Sequence, residues 1–127
     1  MALADPDLPP GVHVPQLSAE PPFGLNADRY RWLREAFDEL PRRSRVVIAL
    51  RLPPPGHAPL TLRDVGRWFC VGAERIRQLE TQALWVLSRA WRPDGASGLS
   101  AHERAVELAP IIGSALDRYP LDEDPPI

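Results

Sequence analysis

Lysine is missing altogether from these 127 residues: all 15 basic side chains are arginine. A GC-rich genome is enough to produce that bias. Whatever its origin, every cation in the chain is a planar, permanently charged fork suited to phosphate and guanine. Cysteine is almost as scarce, and a single thiol, Cys70, excludes an internal disulfide framework. No apolar run approaches the roughly 18 to 20 residues a membrane span needs. The N-terminus lacks the basic start and apolar core of a signal peptide. These absences point to the cytoplasm and away from a membrane partner. Catalytic signatures are lacking too: there is no glycine-rich phosphate loop and no nucleophile motif. His13, His57 and His102 stand far apart, and no Cys/His or carboxylate spacing suits a metal. The expectation is a protein that is not an enzyme and has no cofactor and no metal.

What the chain does have is proline, 16 residues of it, and a strongly segregated charge. Residues 1–28 carry four acids and no base. Residues 29–92 carry 13 arginines against six acids, a charge of +7. Residues 93–127 carry two arginines against seven acids, a charge of −5. The overall −2 therefore hides a basic middle between acidic ends, the pattern of a polyanion-binding domain with acidic flanks.

The prolines and the hydrophobic periodicity divide the chain. Residues 1–27 hold six prolines and little periodicity, and read as a disordered or extended acidic arm. A docked arm using Val12, Val14, Leu17 and Phe23 is the alternative. Tyr30, Leu33, Ala36, Phe37 and Leu40 make one apolar stripe, which predicts a helix over 27–39. Pro41 suits the first turn of a second helix running to about Arg51 and burying Val46, Val47, Ala49 and Leu50. Residues 53–59 must be a loop. Thr61 and Asp64 resemble a capping box opening a third helix through about Phe69, with Leu62, Val65 and Phe69 on its apolar side. Cys70-Val71-Gly72 is a short turn, with Gly72 the N-cap of a fourth helix from Ala73 to about Trp91. Its inner stripe is Ile76, Leu79, Ala83, Val86/Leu87 and Ala90, and its outer face shows Glu74, Arg77, Gln78, Thr81 and Trp85. Residues 93–99 form a linker. Ser100 and Glu103 cap a fifth helix over 100–119, interrupted by Pro110 and carrying Ala105, Val106, Leu108, Ile111, Ile112 and Leu116. Residues 120–127 are an acidic tail.

Two helices joined by a tight turn, the second bearing arginine and glutamine on its outer face, read as a helix-turn-helix. The third helix would brace the inner stripe of the fourth. The fourth would present Arg77 and Gln78 to the major groove, where arginine can bridge guanine O6 and N7 and glutamine adenine N6 and N7. Arg63, Arg67, Arg75, Arg89 and Arg92 are candidates for phosphate contacts that position the domain.

The run Glu-Arg-Ile-Arg-Gln-Leu-Glu at 74–80, followed by Ala83-Leu84, resembles region 4 of the sigma-seventy family of bacterial sigma factors. Thr61-Leu62-x-x-Val65-Gly66 and Phe69-x-Val71 add to the likeness. Residues 38–52 look like the preceding subregion, where Leu-Pro opens a helix. The resemblance covers 29–92, about half of the chain. It implies an all-α fold: a four-helix region 4-like helix-turn-helix bundle over 28–92, with the fifth helix as an extra C-terminal element. It also implies that the fourth helix enters the major groove of a minus-35 promoter element in double-stranded DNA. Glu74, Arg77 and Gln78 match the family's base-reading positions, and Arg75 matches a basic one. A further implied partner is the flap of the RNA polymerase β subunit, gripped in an apolar cleft of the first three helices.

The departures matter as well. Where the family usually has Thr-Arg, this chain has Gly72-Ala73, which loses a capping hydroxyl and a basic contact. Gln82, Trp85 and Val86 stand where the family tends to be basic, and each lost phosphate contact lowers affinity and its salt dependence. Nothing resembles the sigma regions that bind the core clamp or melt the minus-10 element, so the expectation is a stand-alone region 4-like protein. Three functions remain in play. The leading one is a transcription regulator that reads DNA and engages polymerase. The others are a region 4 mimic that binds polymerase or a sigma-like partner without reading DNA, and a plain helix-turn-helix repressor.

Trp68 and Trp85 are candidates for a partner surface, although the C-terminal segment or DNA backbone could cover Trp85. Trp32 reads as the rim of the first helix, and Cys70 as a small half-buried turn residue. The fifth helix needs somewhere to bury Val106, Leu108, Ile112 and Leu116. Docking near Trp85 and Trp91 of the fourth helix and the rim of the first would bring Asp117 and Asp122-Glu123-Asp124 toward the arginine face and weaken DNA binding. The sequence does not specify an oligomeric state.

Overall fold

The computed structural model describes residues 8–9, 11–22, 25–90 and 101–121. Among these, the protein is all-helical: α1 (Ala27–Glu39), α2 (Arg42–Arg51), α3 (Leu62–Phe69), α4 (Ala73–Ala90) and α5 (Ala101–Ala115). No helix among the described residues is long and apolar enough to cross a membrane.

Local chemistry sets each helix start. The Asn26 side chain accepts from the Asp28 and Arg29 amides and opens α1. Pro41 stands at the N-cap of α2, where its missing donor costs nothing. Thr61 Oγ1 accepts from the Asp64 amide and opens α3. The Gly72 carbonyl accepts from the Arg75 and Ile76 amides at the head of α4.

Two hydrophobic cores meet at α2. The first holds Tyr30, Leu33 and Phe37 of α1, Ile48 and Ala49 of α2, Ala83 and Leu87 of α4, and Leu108, Ile111 and Ile112 of α5. The second holds Val46, Val47 and Leu50 of α2, Val65 and Phe69 of α3, and Ile76 and Leu79 of α4. Every residue from Val46 to Leu50 is buried, Ile48 included, although the expected stripe omitted it. The five-residue stretch Val46–Leu50 is apolar on every side, which suits a position between two cores.

The chain ends depart most from expectation. Residues 12–17 are extended and docked, the alternative to a free arm. Val12 pairs with Leu121 and Leu17 with Leu116 in isolated antiparallel bridges. Leu17 is buried, Val12 and Val14 are half-buried, and Phe23 lies outside the described residues. The Tyr30 hydroxyl donates to the Ser18 carbonyl at 2.5 Å and ties the arm to α1. Leu121 is buried in the second core rather than trailing in the tail.

α5 runs unbroken through Pro110, correcting the expected interruption. Proline leaves the Val106 carbonyl without its helical donor. Val106 is 61 % exposed, not buried as expected, so that carbonyl belongs to a solvent-facing turn. Leu108 and Ile112 are fully buried, as expected, each contributing about 1.5 to 3 kcal/mol. Gly113 lets α5 lie close to the proline loop: a Cβ there would stand 2.9 Å from the Pro53 carbonyl oxygen.

Candidate nucleic-acid interface

The turn between α3 and α4 sets the pose of the second helix. Cys70 adopts the left-handed conformation, φ 56°, that ends α3. The Val71 amide donates back to the Gly66 carbonyl at 2.9 Å and the Cys70 amide to Arg67 at 3.4 Å, a Schellman-type stop. Such a stop normally carries glycine. Cys70 is exposed rather than half-buried as expected, so its side chain points away from the crowded turn. The small residue needed for close packing is instead Gly66. A Cβ there would meet the Val71 carbonyl oxygen at 2.6 Å.

α4 buries Ile76, Leu79, Ala83, Leu87 and Ser88. Leu87, not Val86, continues the inner stripe; Val86 is exposed. The Ser88 hydroxyl donates to the Leu84 carbonyl at 2.6 Å, which lets a polar side chain sit inside. The opposite face leaves Glu74, Arg77, Gln78, Thr81 and Trp85 exposed in one row.

Within that row the side chains are already organised. Arg77 donates from Nε to Glu74 Oε2 at 2.9 Å and from Nη2 to Oε1 at 2.5 Å. This bidentate bond holds the Glu74 carboxyl below its usual range and pushes the Arg77 guanidinium up. Glu74 also lies in the first turn of α4, where the helix dipole favours an anion. Arg75 Nη1 reaches Gln78 Oε1 at 3.4 Å.

The other expected contacts are spread around this row. Arg63, Arg67, Arg75 and Arg89 are all exposed, and Arg92 lies outside the described residues. Arg67 is 3.9 Å from Asp64, a loose surface pair that a phosphate could displace. The Arg89 guanidinium lies 4.7 Å over the Trp85 ring. Trp85 remains 52 % exposed and belongs to neither core, whereas Trp68 packs against the second core.

Arg51 of the basic middle is partly buried and ties elements together. Arg51 donates from Nε to Glu80 Oε2 at 3.0 Å and from Nη1 to the Leu60 carbonyl at 2.7 Å. It thereby fastens α2 to α4 and to the strand of chain entering α3. The sequence assigned Arg51 no role beyond its share of the +7 charge and the end of α2. The available signal was its place at the apolar end of α2, just before the proline loop.

Of the expected docking of the acidic C-terminal segment, the contact with α1 and α4 is present, and the approach of Asp117 to the arginine face is not. α5 packs on the first core, and Asp117 Oδ1 accepts from the Gln16 amide at 3.0 Å rather than from an arginine. Trp91 and Asp122-Glu123-Asp124 lie outside the described residues.

Residues 36–89 match the family model described as Sigma-70, region 4. They are a sigma-70 region 4 helix-turn-helix domain. The match runs from the last turn of α1 to the end of α4, so the turn at 70–72 and the Glu74/Arg77/Gln78 row both fall inside it. Region 4 is a DNA-binding, transcription-related domain with a regulatory rather than a catalytic role. No solved structure matches the chain.

Proposed function

We propose that this protein is a cytoplasmic transcription regulator working as a separate region 4 unit, in which α4 reads promoter-type DNA and the α1–α3 side engages the β-subunit flap of bacterial RNA polymerase. The observation that carries the reading is the exposed, pre-organised row Glu74, Arg77 and Gln78. Glu74 takes the Nε/Nη2 edge of the guanidinium. The end-on Nη1/Nη2 edge is left for guanine O6 and N7, and Glu74 can accept from a neighbouring cytosine amine. Gln78 supplies an amide for adenine, and Arg63, Arg67, Arg75, Arg89 and Arg92 supply the phosphate contacts. Polymerase engagement is supported by the match over the α2–α3 helices and by their shared apolar cluster. The separate-unit reading is supported by packing: the docked arm and α5 complete the first core.

Arg77→Ala should weaken binding to a minus-35-type duplex about 5- to 150-fold, corresponding to roughly 1 to 3 kcal/mol, and relax preference at one base pair. Equal affinity of variant and wild type in a gel-shift titration at moderate salt would remove DNA reading. The half-exposed Trp85 under Arg89 favours a second reading, in which Trp68 and Trp85 border a protein-binding surface and the domain mimics region 4 without reading DNA. That reading expects flap or sigma binding with no sequence-specific gel shift.

A further inference from the structure

We propose that the two ends of the described chain form a removable clasp over the α2–α3 face, so that an apolar helix of a partner docks there only after the clasp lifts. The inference rests on the polymerase reading, with the β flap as the partner, and adds a regulatory step to it.

The clasp has two halves that belong to different cores. The inner half is the Leu17–Leu116 pair, both buried in the first core. Backbone bonds cross it in both directions, Ser18 N–H to the Ala115 carbonyl at 2.7 Å and Asp117 N–H to the Gln16 carbonyl at 2.9 Å. The Asp117 carboxylate and the Tyr30 hydroxyl add two more ties. The outer half is the Val12–Leu121 pair, with His13 N–H donating to the Pro120 carbonyl at 2.7 Å. Its apolar side chains join the second core: Leu121 is buried there, and Leu8, Val12 and Tyr119 pack against it.

The cluster that the outer half joins also holds Val46, Val47, Leu50, Val65 and Phe69 of α2 and α3, beside Ile76 and Leu79 of α4. These branched and aromatic side chains form the kind of surface that accepts the apolar stripe of a helix laid in a groove. The outer half can peel back from Pro15 on one side and Asp117 on the other while every inner bond stays made. The first core and the docked α5 are then undisturbed. Closure costs a partner affinity in proportion to the fraction of molecules that are open. A clasp closed in about 90 to 99 % of molecules weakens docking about 10- to 100-fold.

The test uses the full chain in a Cys70→Ser background. Val12 and Leu121 face each other as a non-hydrogen-bonded pair, the arrangement that brings Cα atoms to about 4.5 Å. A disulfide spans that separation. Val12→Cys with Leu121→Cys therefore locks the clasp on oxidation, and Val12→Ala with Leu121→Ala loosens it. Titration calorimetry with an isolated β flap is the readout, and promoter-duplex binding checks that each variant is folded. The oxidised lock should lose flap affinity at least about 10-fold and regain it on reduction, and the loosened variant should bind about 5- to 10-fold more tightly than its parent. The oxidised and reduced lock are the same polypeptide, so that comparison holds even where the loosened variant fails to fold. Equal flap affinity for oxidised lock, reduced lock and parent overturns the clasp and leaves the polymerase reading standing. No flap binding by the reduced lock and the parent, with DNA binding intact, overturns both.

Discussion

Replacing Gly66 by alanine probes the joint on which the DNA-reading pose depends. Gly66 lies inside α3, where alanine is ordinarily the better helix former by about 1 kcal/mol. Here the added methyl would stand 2.6 Å from the Val71 carbonyl oxygen and 3.4 Å from the Gly72 carbonyl carbon. Both are backbone atoms of the turn, so no rotamer change relieves the contact. Overpacking of this kind costs about 1 to 3 kcal/mol. The Val71-to-Gly66 hydrogen bond, about 1 kcal/mol, is stretched or lost as the turn backs away. Set against the helix gain, Gly66→Ala should destabilise by about 1 to 3 kcal/mol. For a chain of this length that lowers the melting temperature by about 4 to 12 °C. A thermal melt followed by circular dichroism measures it. At a temperature where both proteins are folded, DNA affinity should also fall at least about 10-fold, because α4 is re-aimed. A variant that melts at or above the wild-type temperature and binds DNA equally well would refute the close-packing argument for the turn.

Two further outcomes follow from local chemistry. Cys70→Gly should stabilise the protein by about 0.5 to 1 kcal/mol: the left-handed penalty of about 1 to 2 kcal/mol is relieved, part of that is returned as unfolded-state entropy, and the exposed side chain gives up little packing. A urea midpoint that falls would contradict this. Burial pushes the Tyr30 phenol up from its ordinary 10.0. The folded state therefore holds that proton more tightly than the unfolded chain. Its contribution is complete below about pH 10 and is lost as pH climbs from there toward the raised folded value. Tyr30→Phe should flatten that alkaline decline in a pH series of denaturant melts while losing about 1 kcal/mol at neutral pH with the bond to Ser18.

The parts of the fold governed by local rules were legible in the sequence. Tyr30, Leu33 and Phe37 at helical spacing, the Thr61 cap, and the outward row of Glu74, Arg77 and Gln78 all follow from periodicity and capping. What depended on distant partners was not. Ile48 looks surplus to a stripe until a second core lies on the other side of α2. Val106 looks like core until Pro110 is seen to leave its carbonyl without a donor. Arg51 counts only toward the basic charge until Glu80 and the Leu60 carbonyl, 29 and nine residues away, converge on it. The arm was ambiguous because proline hides its pattern. Only Leu116 and Leu121, about a hundred residues further on, decide that Leu17 and Val12 dock.

The first core has a consequence for where this domain can be cut. Similarity to region 4 begins at residue 36, yet Phe37, Ile48 and Leu87 inside the match share their core with Leu17, Tyr30, Leu33, Leu108 and Ile112 outside it. The border drawn by kinship therefore passes through the oil, not around it. A fragment spanning 36–89 would carry half of a hydrophobic interior to its own surface, where it would be sticky toward other copies and other proteins. Similarity and packing have different borders in this chain: the matched piece holds the Glu74, Arg77 and Gln78 row, and the core beneath it extends further.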